Sequence, residues 1–243
     1  MNILQFDKLH CKNCYKCVRH CPVKAIEVKN HRAQINAADC ILCGECTIIC
    51  PQKTKGAVSE VAQLQEALAA GVPVIASLAP SAVAYFSASI DSLQTALRRL
   101  GFADAGETAA GAYLVKSCYE KLLADRPGQV WISSCCSSVN LLIGKYHPAA
   151  LPHLAPVVTP IQAHARLLKE RRPEARVAFI TPCVSKKAER YAAGSEIDYV
   201  ITFEELAEML AAAAITLPAA DGAGGSQLLS RKFPLDGGIV ATM

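Results

Sequence analysis

From Val58 onward, apolar residues recur in two alternating rhythms. VSEVAQLQEALAAG carries Val61, Leu64 and Leu68 at steps of three and four, the spacing of one helix face, and Gly71 closes it as a C-terminal cap. PVIASL follows as a short unbroken apolar run, which reads as a buried strand. DSLQTALRRLG predicts a helix with Asp91 as N-cap and Gly101 as stop, and ETAAGAYLVKSCYEKLLAD predicts a longer one. QVWISS, ARVAFIT and DYVIT are further strand candidates, with helices expected to begin near Ser138, Ser185 and Phe203. Strands alternating with helices predict an α/β fold around a mostly parallel sheet, because parallel neighbours need a crossover that a helix supplies.

The residues that interrupt this pattern collect where the predicted strands end. LAPSAV follows the first, SSCCSS the second and TPCVSKK the third. Open parallel sheets bind ligands outside the carboxyl ends of their strands, so these three segments are expected to converge on one rim. Cys135 and Cys136 stand side by side on such a turn, whereas a thiol used for packing sits more naturally inside an apolar run. Taken alone, Cys135, Cys136 and Cys183 leave a packing role open; beside the cysteines upstream, metal ligation is the better reading. A nucleophilic Ser133 or Ser134 would need a positioned base that the sequence does not identify.

Residues 1–56 follow neither rhythm. CKNCYKCVRHCP at 11–22 and CILCGECTIICP at 40–51 both fit C-x2-C-x2-C-x3-C-P, offset by 29 at each of the four cysteines, which is an internal repeat. Three thiolates of such a run reach three corners of one [4Fe-4S] cube, and the fourth ligates the cube of the other run. The expected ligand sets are Cys11, Cys14, Cys17 and Cys50 for one cluster, and Cys40, Cys43, Cys46 and Cys21 for the other. Zinc knuckles or structural cysteines are the competing reading. Zinc sites use two short pairs, whereas three close thiols plus a distant fourth recur here, with Pro22 and Pro51 following. AIEVKN and AQIN between the cysteines read as hairpin strands. The chain thus divides into a two-cluster module at 1–56 and an α/β domain at 57–243.

Composition narrows the setting. Twelve cysteines are too many to leave unexplained in a chain with no sign of secretion: MNILQFDKLH leads straight into cysteines with no apolar core or cleavage site. LAEMLAAAAITL, the most apolar stretch, is too short to cross a membrane and contains Glu208. A cytoplasmic chain is expected. The net charge of +4 is modest and forms no long basic run, so neither nucleic acid nor membrane is an implied partner. Residues 1–56 hold nine Lys or Arg against four Asp or Glu, an excess that would offset bound anionic clusters.

Residues 3–56 resemble the bacterial two-cluster ferredoxins, and most of the chain is similar to the large subunit of [FeFe]-hydrogenases. Ser133-Ser134-Cys135-Cys136-Ser137 resembles the family motif Thr-Ser-Cys-Cys-Pro. Thr181-Pro182-Cys183-Val184-Ser185-Lys186-Lys187 resembles Met-Pro-Cys-x-x-Lys-Lys, with Glu189 at the place of a common acidic residue. LAPS at 78–81 and KYHPAALPHLAPVVTPIQ are also similar to family stretches. The resemblance implies an H-cluster, in which a [4Fe-4S] cube shares a cysteine with a two-iron site carrying CO and cyanide. Cys136 and Cys183 match cube ligands, Cys135 the thiol that hands protons to the two-iron site, and Lys186 the lysine that donates to a cyanide. Pro80 and Ser81 would line the same pocket.

Departures accompany the match. The family's third motif, a Cys-x-x-x-Cys that supplies two more ligands, is absent, and the chain stops at FPLDGGIVATM, similar to a stretch that precedes it. A truncated product is expected, or ligands supplied by a missing C-terminal segment or partner, with a third cube or H-cluster bound only when they are supplied. Tyr119 and Leu122 stand where hydrogen-evolving members carry two relay glutamates, Glu120 lies one residue off, and Ser137 replaces the motif's Pro. These features are similar to the family's sensory branches. Three readings follow: an oxidoreductase of the ferredoxin hydrogenase type fed by an external redox protein, a redox or hydrogen sensor with a signalling partner, and a plain electron carrier with an empty second domain.

The remaining features read as structural. The six histidines, at 10, 20, 31, 147, 153 and 164, have no metal-ligand spacing and read as surface or loop residues, with His10 and His20 near a cluster. Cys118 reads as a half-buried small residue within a helix, GAGG at 222–225 as linker, and KERRPEAR as a solvated helix end stopped by proline.

Overall fold

The N-terminal segment has only short apolar runs, and its elements are correspondingly small. The computed structural model describes residues 3–7, 10–218, 229–233, 235 and 237–242. Strand β1 (Leu4–Phe6) is followed by helix α1 (Lys16–His20), strands β2 (Ile26–Lys29) and β3 (Arg32–Ile35), helix α2 (Glu45–Ile48) and strand β4 (Lys55–Ala57). β2 and β3 form the expected hairpin through Asn30 and His31, both at positive φ, the two-residue turn whose twist suits antiparallel strands. β4 returns to pair antiparallel with β1.

The larger unit alternates as its pattern predicts: α3 (Val61–Ala69), β5 (Val74–Leu78), α4 (Ala82–Phe86), α5 (Ile90–Arg99), β6 (Asp104–Glu107), α6 (Ala109–Asp125), α7 (Ser137–Tyr146), α8 (Pro160–Arg171), β7 (Arg176–Thr181), β8 (Tyr199–Thr202), α9 (Phe203–Ala212) and α10 (Gly238–Thr242). The sheet has the order β6-β5-β7-β8 and every pair is parallel, so the fold is α/β. Every residue of β5 is buried, as both faces of a parallel strand under helices must be. Apolar residues of α3, α5, α8 and α9 share one core with the strands.

Several local expectations are corrected. QVWISS is no strand of the sheet; only Ile132 makes an isolated bridge, to Leu154, and the backbone bonds of Ile132 go to the loop at 153–155. β6, with the sequence DAGE, takes the sheet position instead. α5 is capped by Ser89, whose hydroxyl accepts from the Ser92 amide at 3.1 Å, and Asp91 lies in the first turn beyond it. The segment expected as a helix from Ser185 is a 3-10 helix, Val184–Tyr191. Cys118 is exposed rather than half-buried. GAGG at 222–225 lies outside the described residues.

His164 overturns the surface reading: it is 3% exposed, and its Nδ1 lies 2.7 Å from the Ser77 hydroxyl, which also bonds Thr108 at 2.9 Å. Burial, with a smaller push from Arg171, lowers its pKa to about 4 from an ordinary 6.5. Below pH 6.5 the unfolded chain therefore takes up a proton that the folded chain refuses until about pH 4. Stability falls through that window by about 3 kcal/mol, about 2 kcal/mol of it by pH 5. The thermal midpoint should drop less between pH 7 and pH 5 in His164→Gln than in the parent; equal drops would contradict this origin.

Candidate metal centres

The repeat in the sequence is a repeat of backbone geometry. Asn13, Tyr15 and Lys24 have positive φ, and so do Leu42, Gly44 and Lys53, each 29 residues later. The turn bonds repeat as well: Val18 to Tyr15 and Thr47 to Gly44, then Lys24 to Cys21 and Lys53 to Cys50. Left-handed residues between the thiols curl each loop around its own interior, and a short helix follows immediately in both copies. Such a conformation costs a branched residue like Leu42 of order 1 kcal/mol, so the loop is held by its surroundings.

Cys21 joins Cys40, Cys43 and Cys46 around one small cavity, over apolar residues that include Ile26 and Ile35. The fourth thiol of the first run thus sits with the three of the second. In the other set, Cys14 donates to Gln52 at 3.8 Å, two residues beyond Cys50. Four thiols around a cavity of their own suit the separate corners of a cube.

Burial pushes the Cys46 thiol up to about 12 and raises Cys40. Burial also pulls Cys50 upward, but bonds from Thr54 and Gln52 outweigh it and bring that thiol below its ordinary value. Lys55, 6% exposed and stacked 4.3 Å over the Phe6 ring, eases the charge on both Cys46 and Cys50. Free thiolates would be costly here, and a metal, if bound, would supply the compensating charge.

In the larger unit the three expected segments do converge. Pro80, Ser81, Cys135, Cys136, Cys183 and Lys186 line one cavity of about 530 Å³ outside the ends of β5 and β7. Phe233 and Ile239, distant in sequence, close another wall. Tyr119, 4% exposed, holds the double-cysteine turn: its hydroxyl accepts from the Ser134 amide at 2.9 Å and lies 3.1 Å from both serine hydroxyls and 3.7 Å from Cys135 Sγ. Burial raises the Cys135 thiol, with Ser133 and Tyr119 opposing. Lys186 donates to the Cys135 carbonyl at 2.8 Å.

Sequence reasoning gave Glu189 no role beyond its place in a motif. In the fold its carboxylate accepts from Lys186, Ser137 and Thr159, and its carbonyl from Gln162 at 2.8 Å. It thereby ties the lysine, the double-cysteine turn and the start of α8 together. The serine that replaces the motif's proline was the available clue, since it can donate and proline cannot. Lys187 is buried as well, bonded to the Val200 carbonyl at 2.7 Å and to Glu205, which anchors the 3-10 segment on the sheet.

The two units meet at these loops. Lys145 and Tyr146 at the end of α7 donate to the carbonyls of Cys40 and Asp39, each at 2.7 Å. Gly44 stands so close to Val184, the neighbour of Cys183, that a Cβ there would lie 3.1 Å from its side chain. A second cavity of about 710 Å³ is bordered by Cys43, Cys50 and Cys183. A cube needs four protein ligands, and the α/β rim brings only Cys135, Cys136 and Cys183 together among the described residues. The donor set of a third cluster is therefore incomplete here.

Comparison with known proteins accords with this arrangement. Residues 72–243 match the family model of the iron only hydrogenase large subunit, C-terminal domain, and residues 3–66 match that of the 4Fe-4S dicluster domain. Among solved structures the chain is similar to the HydA(deltaEFG) form of [FeFe]-hydrogenase, at 22% identity and a TM-score of 0.57, with 70% of this chain and 52% of that one covered. It is likewise similar to a variant of the apo [FeFe]-hydrogenase HydA1 from Chlamydomonas reinhardtii, at 21% identity and a TM-score of 0.55, covering 70% and 53%. The chain thus spans about half the length of those hydrogenases, and the likeness concerns the fold. Over 43 residues, 18% of this chain and 16% of the relative, it is 46% identical to a protein of the ion-translocating oxidoreductase complex of Methanosarcina acetivorans. Among the described residues no helix is long and apolar enough to cross a membrane. With a family model matched over more than half of its length, the chain belongs to the iron-only hydrogenase large-subunit family and is an iron–sulfur redox protein of that superfamily.

Proposed function

We propose that residues 1–56 hold two [4Fe-4S] clusters, one on Cys11, Cys14, Cys17 and Cys50 and the other on Cys21, Cys40, Cys43 and Cys46, and that the module serves as an electron relay to the hydrogenase-type rim of residues 57–243. Bound clusters supply one-electron storage. The observation that carries this reading is the cavity that gathers Cys21 with the three thiols of the second run. The loop at 40–44 lies against α7 and Val184, which gives that set a short path toward Cys183. The similar stretch in a protein of an oxidoreductase complex accords with an external redox partner.

At the rim, Cys136 and Cys183 are the proposed ligands of a third centre, completed by residues from another segment or partner. Cys135 is the proposed proton-carrying thiol, Lys186 a donor toward an anionic ligand, and Pro80 and Ser81 the wall beside them. Tyr119 favours the sensory reading over rapid hydrogen turnover: it bonds the cysteine turn, but a phenol whose pKa burial raises further is a poor substitute for a carboxylate relay.

The chain purified without oxygen is expected to carry about eight irons and eight labile sulfides, as two cubes would give. The Cys136→Ser, Cys183→Ser double variant is expected to keep them all. A count of about four in the parent would end the two-cluster reading. A count well above eight that falls to eight in the double variant would mean that the rim completes its own site.

A further inference from the structure

Charge in the N-terminal module is unevenly placed. From Cys11 to Ile26 the sequence carries Lys12, Lys16, Arg19 and Lys24 and no Asp or Glu. The fold keeps them together: Arg19 turns back to donate to the Cys14 carbonyl at 3.2 Å, and Lys24 donates to the Arg19 carbonyl at 3.1 Å. Lys12, Arg19 and Lys24 are exposed, as is Cys14 itself. Among the described residues none of the four cations is in an ion pair.

The module's acids are engaged elsewhere. Asp7 contacts His10, Glu27 pairs with Lys29, Asp39 bonds Asn36 beside the α7 contact, and Glu45 borders the cavity of the Cys21 set. Cys43 of the second cysteine loop is exposed as Cys14 is, but that loop is contacted by α7 and approached by Val184, whereas the first loop carries a rim of basic side chains that pair with no acid among the described residues. One end of the module is thus occupied by the chain's own α/β unit and the other is open.

We infer that the surface around Cys14, formed by Lys12, Lys16, Arg19 and Lys24, is the docking face for an acidic one-electron carrier protein. This rests on the two-cluster reading. The carrier loses one electron and the cluster held by Cys11, Cys14, Cys17 and Cys50 gains it, with no bond made or broken and no proton required. Charge complementarity supports a protein occupant. A compact ring of cations around an exposed redox ligand steers an acidic partner and sets its orientation, whereas a nucleic acid would call for a longer basic stripe.

The test follows the full chain as a reduced plant-type [2Fe-2S] ferredoxin, an acidic carrier, passes electrons to it in a stopped-flow instrument. At low salt the rate should exceed that at 0.5 M salt by about tenfold or more, because screening removes steering. A Lys12→Gln, Lys16→Gln, Lys24→Gln variant should lose about tenfold at low salt, and Lys121→Gln on α6 should lose nothing. Reduction by dithionite at high salt and the iron content should match the parent. Equal ferredoxin rates in parent and triple variant would overturn the docking face while leaving the clusters standing. A parent that dithionite cannot reduce would instead remove the cluster reading, and the docking face with it. Should the triple variant lose iron, the Lys12→Gln and Lys24→Gln single variants decide, each expected to slow the ferredoxin reaction two- to threefold and to leave the dithionite reaction unchanged.

Discussion

Gly111→Ala is expected to lower the thermal midpoint by roughly 6–12 °C, the shift that a loss of about 3 kcal/mol produces in a chain of this size. A Cβ on Gly111 would lie 2.1 Å from the Pro160 carbonyl oxygen, 2.7 Å from the His164 Cβ and 2.8 Å from the His164 amide. Backbone atoms cannot swing aside as a side-chain tip can, so α6 and α8 would have to separate. The effect would reach the rim, since α6 carries Tyr119, which holds the double-cysteine turn, and α8 is capped by Thr159, which holds Glu189. Gly144 is the control. It is exposed in α7 with nothing within 4 Å of a built Cβ, so Gly144→Ala should be neutral or gain up to about 1 kcal/mol from helix propensity. A Gly111→Ala protein that melts with the parent would show that the crossing is looser than its distances imply.

Legibility in the sequence followed how locally each feature is determined. The two cysteine runs could be read as a structural repeat because three thiols and a proline at fixed spacing are a local pattern, and the same spacing reappears as matched left-handed residues 29 apart. The buried strands could be read because β5 and β7 are unbroken apolar runs. β6 could not: it spells DAGE, and it lies at the sheet edge, where Asp104 meets Arg98 and Glu107 meets Arg231 without entering the core. QVWISS is the better strand by composition, yet its partner is the segment at Leu154, 22 residues beyond Ile132, which no period reveals. His164 was legible and overlooked, for it lies on the helical face of Ile161, Ala165 and Leu168, all buried. The closing wall of Phe233 and Ile239 is a long-range contact that the chain's local pattern does not encode.

The largest cofactor loss is expected from Cys21→Ala, which should remove about four of about eight irons, and the identity of the lost cluster separates two architectures. Cys21 follows Cys17 closely in sequence, so a chain in which each run served its own cluster would lose the first-run site. In the fold Cys21 instead borders the cavity of Cys40, Cys43 and Cys46, accepts a bond from the Ala25 amide at 3.2 Å, and adds to the charge felt at Cys40. Paired substitutions turn this into arithmetic. If Cys21 serves the second run, adding Cys43→Ala costs nothing further and leaves about four irons, because both ligands belong to a site already lost. Adding Cys14→Ala destroys the surviving site and leaves almost none. The opposite ranking, iron retained with Cys14→Ala and lost with Cys43→Ala, would mean that each run keeps its own cluster. A crossed assignment has a structural consequence as well. Each cluster then fastens one repeat to the other, so losing either one loosens the packing of α1 on α2 and, through the loop at 40–44, the seat of the module against α7.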